Sequence, residues 1–308
     1  MKKIKVLFVC SGNNVTGISP NVAVQAKGLA DAGVEVVFFE IKGKGWKGYL
    51  KNIFRLRRYL KNHSYDVVHA HYGLSGMAAS LAGAGPLAVT IMGSELYLNS
   101  LLKVSVQLFS RFVWKTVIVQ SEEMRKMTSG NAVVLPNGVD LSLFKNIDSE
   151  EAKEITGFSK GKHVIWVSAP DRPEKNFVLA EEAVKELSDD DVFLDVVNRV
   201  PHDVIPNYFA AADAMLLTSK WEGSPIVVKE ALAAGLPVVS VDVGDVKALL
   251  SGVDGCYVTD SNAGEIADAL RKALSFGRRT DGLIKVEHLD MKTVSEKLKA
   301  IYRSLVTE

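Results

Sequence analysis

Glu222 and Glu230 stand eight residues apart on either side of an expected helix start, a spacing that suits a phosphorylated sugar donor. The apolar run Ala214 to Thr218 reads as a buried strand, Ser224 as an N-cap, Pro225 as the first helical turn and Gly235 as the helix end. Glu222 then lies in the strand-to-helix loop with Gly223, and Glu230 lies further along the helix that begins near Ile226 and Val227. The free amides of residues 225 to 227 would point out of the helix N-terminus, where their partial positive charge favours a phosphate. A carboxylate beside a phosphate repels it unless it accepts hydroxyl protons, so a sugar or a ribose is the fitting partner for each acid. Either Glu taken alone also reads as an ordinary solvated acid.

Two cations occupy a second loop. After the apolar run His163 to Ser168 comes Ala169-Pro-Asp-Arg172-Pro-Glu-Lys175-Asn-Phe, ahead of a helical pattern. When a nucleotide sugar is cleaved, negative charge builds on the departing diphosphate, and preorganised Arg and Lys groups with helix amides stabilise it without a metal. A solvated, charged turn is the plainer reading. The stretch Ser11-Gly12-Asn13-Asn14-Val15-Thr16-Gly17-Ile18-Ser19 follows the first apolar run and precedes a helix, so its backbone either approaches a ligand or simply turns. It lacks Gly-x-Gly-x-x-Gly, which weighs against a nicotinamide or flavin dinucleotide. His69 and His71 alternate, placing both imidazoles on one side of a strand. With no third ligand at suitable spacing, structural or acceptor-side roles fit them better than a metal site. Asp189-Asp190-Asp191 contains the Asp-x-Asp pattern of metal-dependent sugar transferases of another fold, but between a helix and a strand it reads as a solvated turn.

The elements that must position these groups follow a regular rhythm. Short apolar runs at Ile4 to Cys10, Val34 to Glu40, Asp66 to Ala70, Leu87 to Met92, Val117 to Gln120 and Ala132 to Leu135 alternate with helical patterns, Ser19-Pro20 opening the first. A second series runs through His163 to Ser168, Val192 to Asn198, Ala214 to Thr218, Val238 to Val241 and Gly255 to Thr259. Each series predicts a parallel sheet wrapped by helices. The turn-rich Pro136-Asn-Gly-Val-Asp140 separates them, so we expect domains at 1–140 and 141–290, with a last helix from Met291 able to return to the first. At 308 residues and 47% hydrophobic composition, each domain has enough chain for a core. Formal net charge is +1 without a basic tail, which gives no global support to nucleic-acid binding. Cys10 and Cys256 have no neighbour of their kind and suggest a reducing cytoplasm. The opening Met-Lys-Lys leads into a strand with Lys5 in it rather than a signal peptide, and no segment approaches a membrane span. Lys42 to Lys61 holds eight Lys or Arg residues among aromatics, with no acid; half is ordinary core face, and the rest would suit an anionic lipid surface.

The run Ala212-Asp213, Met215 to Thr218, Ser219, Glu222-Gly223, Pro225, Glu230-Ala231 and Gly235-Leu-Pro-Val-Val239 resembles the Glu-x7-Glu region of the retaining glycosyltransferases of family 4, also called glycosyl transferases group 1. Pro136 to Asp140 and Val204 to Asp213 resemble further family segments, so the likeness covers nearly the whole chain. It implies a GT-B fold, two Rossmann-like parallel-sheet domains facing a central cleft, with the acceptor on the first and the donor on the second. It further implies transfer of a hexose-type sugar, with retention, from a nucleoside-diphosphate sugar to a glycan or lipid-linked acceptor, without cofactor or metal. Glu222 would hold sugar hydroxyls, Gly223 through Val227 would present amides, Lys175 and Arg172 would neutralise the diphosphate, and Glu230 would accept the ribose. Arg199 and Val200 would lie near the base, Gly12 and Gly17 would border the donor, and His71 would face the acceptor. The setting implied is polysaccharide biosynthesis on the cytoplasmic side of a membrane. Two departures stand out: Met92 replaces the His of the family's Thr-x-His-Gly-x-Asp, and position 170 is Pro, leaving Arg172 as the nearest Arg. They keep open a non-catalytic nucleotide-sugar-binding scaffold subunit, or an epimerase on the same fold.

Overall fold

The computed structural model describes residues 3–13, 17–43, 45–97, 99–128, 132–145, 147–201 and 203–307. The chain divides into two compact units, Met1–Gly138 with Met291–Glu308, and Val139–Asp290.

Unit 1 carries six parallel strands, β1 (Lys5–Ser11), β2 (Glu35–Ile41), β3 (Val67–His71), β4 (Leu87–Thr90), β5 (Thr116–Val119) and β6 (Ala132–Val134), in the order β2-β1-β3-β4-β5-β6. Its helices are α1 (Pro20–Asp31), α2 (Gly45–Asn62), α3 (Gly73–Ala82), α4 (Ser94–Tyr97), α5 (Ser100–Phe112) and α6 (Glu122–Met127). Alternation along β1 separates two cores. Leu7 and Val9 pack with Leu56, Ala79, Val106 and Met124 beneath α2, α3, α5 and α6, whereas Val6, Phe8 and Cys10 face α1. The chain's last helix spans Met291–Thr307 and belongs to this unit, burying Val294, Leu298, Tyr302 and Leu305 in the same core as α1. The two helices meet closely at Gly28, where a Cβ would stand 2.6 Å from Ser295 Oγ.

Unit 2 carries five parallel strands, β7 (Lys162–Val167), β8 (Val192–Val197), β9 (Ala214–Leu217), β10 (Val238–Val241) and β11 (Tyr257–Thr259), ordered β11-β10-β9-β7-β8. Its helices are α7 (Ser149–Thr156), α8 (Phe177–Lys185), α9 (Ile205–Ala211), α10 (Ile226–Ala233), α11 (Val246–Leu250), α12 (Ala263–Phe276) and α13 (Leu283–Val286), which makes the C-terminal helix α14. Strand runs that alternate nothing and are apolar throughout, such as Ala214-Met-Leu-Leu217, are buried on both faces, as a parallel sheet between helical layers requires. The strand-rich reading of the chain is therefore correct in class, with ends shifted by a residue or two.

Candidate functional site

In unit 2 the loop before α10 is held from two sides. Glu222 Oε1 accepts from Lys175 Nζ at 2.5 Å and from Ser219 Oγ at 2.7 Å, with the Lys175 and Glu222 side chains only 18% and 14% exposed. The loop carrying Lys175 is tied to the same place by Thr218 Oγ1, which donates to the carbonyls of Lys175 and Asn176, and by Lys220 N, which donates to Glu174 O. The structure thus joins an acid and a cation read separately from sequence, 47 residues apart, in one half-buried pair. Arg172 does not join them. Its guanidinium grips Glu174 through Nε at 2.8 Å and Nη2 at 2.6 Å, and half of its side chain is exposed.

The helix start differs from expectation in two respects. Ser224 is not the N-cap, because its hydroxyl donates to Asp245 Oδ2 at 2.5 Å, and Pro225 takes the cap position instead. Pro225 has no N–H, so the first-turn donors belong to Ile226, Val227 and Val228. Gly235 follows the helix end as expected, with φ +65°. Glu230 is buried on α10 rather than solvated.

Behind this loop lie two groups that the sequence did not single out. Lys229 is completely buried, and burial pushes its ammonium down to about 8 against the opposing pull of Asp245 and Glu230. Burial likewise pushes the Asp245 carboxyl up, with Lys229 and the Ser224 hydroxyl opposing. The turn preceding Asp245 presses on the Glu222 loop: a Cβ on Gly244 would stand 2.7 Å from Gly223 O and 3.0 Å from Glu222 O. The available signal for Lys229 was its place in the otherwise apolar run Ile226-Val-Val-Lys-Glu-Ala-Leu-Ala233. At the end of β8, Arg199 is exposed and takes φ +57°, while Val200 packs against the core.

In unit 1 the strand ends gather different chemistry. His69 and His71 stack on one side of β3, ring centroids 4.3 Å apart, as alternation predicts. His69 is bonded at both nitrogens, Nδ1 with Tyr302 OH at 2.6 Å and Nε2 with Thr90 Oγ1 at 2.7 Å, which makes it part of the core. His71 Nε2 meets Gln25 Oε1 at 2.8 Å, Nδ1 has no hydrogen-bond partner among the described residues, and burial pushes the imidazole down to about 3. Met92 sits at the end of β4, and its amide and that of Gly73 both donate to Glu95 Oε1 at 3.0 Å. Glu95 is fully buried and its carboxyl is pushed up by that burial, backbone donors opposing. Tyr72, beside His71, holds φ +83°, a strained value for a residue with a side chain.

The Gly12 amide donates to Ile41 O at 3.0 Å, and a Cβ there would stand 2.6 Å from Glu40 Oε2, so β2 alone accounts for this glycine. Gly17 has φ +86°, and no atom of the described residues lies within 4 Å of where its Cβ would stand; Asn14, Val15 and Thr16 of the same loop lie outside the described residues. Asp189 to Asp191 form a turn closed by Asp191 N donating to Asp189 Oδ1 at 3.0 Å. No group of three or more His, Cys, Asp or Glu among the described residues is arranged to hold a metal. On α2, Tyr49, Ile53, Leu56, Tyr59 and Leu60 pack into the core, and Arg55 stacks over Phe39; Leu50 and Phe54 remain exposed. Lys44 and the Trp46 side chain lie outside the described residues. No described helix is long and apolar enough to cross a membrane.

Comparison with known proteins bears on both units. The profile of glycosyltransferase family 4 matches residues 11–143, and that of glycosyl transferases group 1 matches residues 153–275. The chain is 29% identical over 237 residues to TuaC of Bacillus subtilis strain 168, provisionally named a teichuronic acid biosynthesis glycosyltransferase, over 67% of this chain and 61% of that protein. It therefore spans about three-fifths of TuaC's length. It is 26% identical over 270 residues to the UDP-Gal:alpha-D-GlcNAc-diphosphoundecaprenol alpha-1,3-galactosyltransferase of Escherichia coli, over 72% of this chain and 69% of that one. Among solved structures, sucrose-phosphate synthase from Thermosynechococcus elongatus superposes with a TM-score of 0.80 at 17% identity, covering 99% of this chain and 100% of that chain, a likeness of GT-B fold.

Proposed function

Because this chain belongs to the glycosyl transferases group 1, family 4 glycosyltransferases included, we propose that it moves a sugar, with retention and without a metal, from a nucleoside-diphosphate sugar to a glycan or lipid-linked acceptor. The observation that carries this reading is the half-buried Lys175–Glu222 pair at the start of α10, an acid and a cation preorganised beside free helix amides. Incoming diphosphate oxygens take the Lys175 ammonium and the amides of Ile226 and Val227, which frees the Glu222 carboxylate for sugar hydroxyls. As the bond from the anomeric carbon to the diphosphate oxygen breaks, the new negative charge meets groups already in place, so little reorganisation is required. The acceptor hydroxyl attacks from the same face and its proton passes to the departing phosphate oxygen.

In this reading Gly223 and Ser224 shape the sugar pocket, with Pro225 setting the helix entry, and Glu230 accepts from the ribose. Arg199 and Val200 lie by the base, and His71 faces the acceptor. Arg172 contributes only after leaving Glu174, so its substitution has the smaller effect. UDP is the first nucleotide to test, since the Escherichia coli relative is named for UDP-Gal.

Calorimetry with UDP, GDP and ADP tests the donor site. One nucleoside diphosphate is expected to bind, and Lys175→Ala to weaken it by about tenfold or more. Donor turnover unchanged in both Lys175→Ala and Glu230→Ala would overturn the assignment. Met92, standing where the family has His, favours a second reading as a non-catalytic nucleotide-sugar-binding subunit. That reading requires binding without transfer or hydrolysis, while an epimerase would convert the sugar nucleotide with no acceptor present.

A further inference from the structure

The net charge of +1 hides a division between the units. Unit 1 holds 21 Lys and Arg against 9 Asp and Glu, a net of +12, whereas unit 2 holds 16 against 27, a net of −11. Within unit 1 the imbalance is concentrated. From Ile41 to Ser121 there are 11 Lys and Arg but only two acids, Asp66 and Glu95. Asp66 accepts from Lys5 N at the start of β3, and Glu95 is fully buried, so the helices α2, α3 and α5, all on one face of the sheet, carry no exposed carboxylate.

The same face exposes apolar side chains. Leu102, Val106 and Phe109 turn α5 toward the core, yet Leu101, Val104, Leu108 and Phe112 recur at three- and four-residue spacing on its other side. Their exposures are 81%, 51%, 54% and 72%. A helix apolar on both sides is unusual at a water-facing surface. Arg111 lies over the Phe112 ring, 5.5 Å from its centroid, and Lys103 flanks the stripe. On α2 of the same sheet face Leu50 and Phe54 are also exposed, among Lys51, Arg58 and Lys61, and Arg57 ties α2 to α3 by donating to the carbonyl of Leu81, whose own side chain is exposed. At 13 residues α5 is far too short to span a bilayer.

We propose that the outer stripe of α5, together with the basic face of α2, docks this protein on an anionic lipid bilayer, with α5 lying in the headgroup plane. The expected lipid face thereby moves from Lys42 to Lys61 alone, where most large apolar side chains are core, to a face centred on α5. Charge complementarity selects the occupant. Basic groups meet anionic headgroups while the stripe enters the acyl boundary, a combination that an amphipathic surface helix uses. A nucleic acid would use the charge and leave the stripe in water. A second copy would cover the stripe and bring two like-charged faces together.

Co-sedimentation of the full chain with vesicles tests this independently of any transferase activity. Strong partitioning is expected onto phosphatidylcholine vesicles containing phosphatidylglycerol, weak partitioning onto phosphatidylcholine alone, and loss of binding at high salt. Leu108→Asp and Leu101→Asp are each expected to lower partitioning by about tenfold, and Lys51→Glu with Arg58→Glu to do likewise. Ile284→Asp, an equally exposed apolar site in unit 2, should leave it unchanged. Thermal melts identify any variant that fails to fold, and two separate stripe variants keep the test open if one does. Absence of binding to the anionic vesicles, binding indifferent to both stripe variants, or a stripe-dependent dimer in light scattering would each overturn the proposal.

Discussion

Unit 1 and unit 2 share a plan, a parallel sheet between two helical layers, but they satisfy their buried polar groups by different physics. Unit 1 bonds its buried imidazoles to neutral side chains, His69 to Tyr302 and Thr90 and His71 to Gln25, and gives its one fully buried acid among the described residues, Glu95, to backbone amides. Unit 2 buries charge, with Lys229 facing Asp245 behind the loop that carries Glu222. Their surfaces are opposed as well, +12 against −11. The difference teaches where an anion would be held. In an acidic unit, a cation kept half-buried beside helix amides, as Lys175 is, marks a local reversal of the surrounding field, whereas surface cations in the basic unit mark only the face that meets a charged partner.

The strongest way to break this contrast is to remove charge from the unit 2 interior. Lys229→Met leaves Asp245 without its nearest cation and is expected to cost about 3–5 kcal/mol, the usual penalty for breaking a buried pair. Lys229→Met with Asp245→Asn should recover part of that loss, because Asp245 then carries no charge to be left uncompensated, while Glu230 keeps its own. His71→Phe in unit 1, which removes a neutral group with one hydrogen bond, should cost only about 1–2 kcal/mol. Urea unfolding of Lys229→Met, Asp245→Asn and the double variant measures the coupling, with His71→Phe as the unit 1 reference. Strictly additive costs for Lys229 and Asp245 would mean that the two groups do not act as a pair.

Titration sharpens the same contrast with opposite windows. The folded His71 imidazole is pushed down to about 3 from an ordinary 6.5, so between those values the unfolded chain binds a proton that the folded chain does not. Stability then falls as pH falls through that window, by about 1.4 kcal/mol per pH unit. His69, displaced in the same direction by burial and by His71, adds to the loss. Lys229 is pushed down to about 8 from 10.5, so its unfolded form again binds more protons within that range, and its contribution rises as pH rises from 8. Acid should therefore loosen β1, β3 and α14 before unit 2, read as earlier loss of hydrogen-exchange protection after correction for intrinsic rates. Equal loss in both units would refute the assignment.

Much of this was legible in the sequence, and what was not has identifiable causes. Apolar runs separated by helical periods mark the described strands, most plainly β3, β4, β9 and β10, which are buried on both faces and so have little choice of composition. Glu222 and Lys175 were visible as types in loops, but their contact was not, since it closes across 47 residues and depends on Thr218 and Ser219. Ser224 read as an N-cap by local preference, and a tertiary partner, Asp245, took its hydroxyl. Lys229 was invisible because a lysine on a helix usually reaches water, and an apolar helix gives no periodicity to say which side is enclosed. The charge division was legible too, since the expected boundary at residue 140 lies two residues from the observed one at Gly138, but the whole-chain net of +1 conceals it.

The smallest contrast separates two crowded glycines. A Cβ at Gly12 meets the end of the Glu40 side chain at 2.6 Å, and that carboxylate can swing aside, although Glu40 Cβ at 2.9 Å also has to give. A Cβ at Gly244 meets backbone, Gly223 O at 2.7 Å and Glu222 O at 3.0 Å, and the residue holds φ +59°, where an alanine is strained in any case. Gly12→Ala should therefore cost about 1 kcal/mol and leave nucleotide binding intact. Gly244→Ala should cost about 1–3 kcal/mol and also weaken nucleotide binding, because the atoms that must yield are those of the Glu222 loop itself. Melting temperature and calorimetric affinity, measured on both variants, separate the two effects. If Gly244→Ala lowered stability but bound nucleotide like the wild type, the turn at Gly244 would support the fold without setting the loop that the donor is proposed to use.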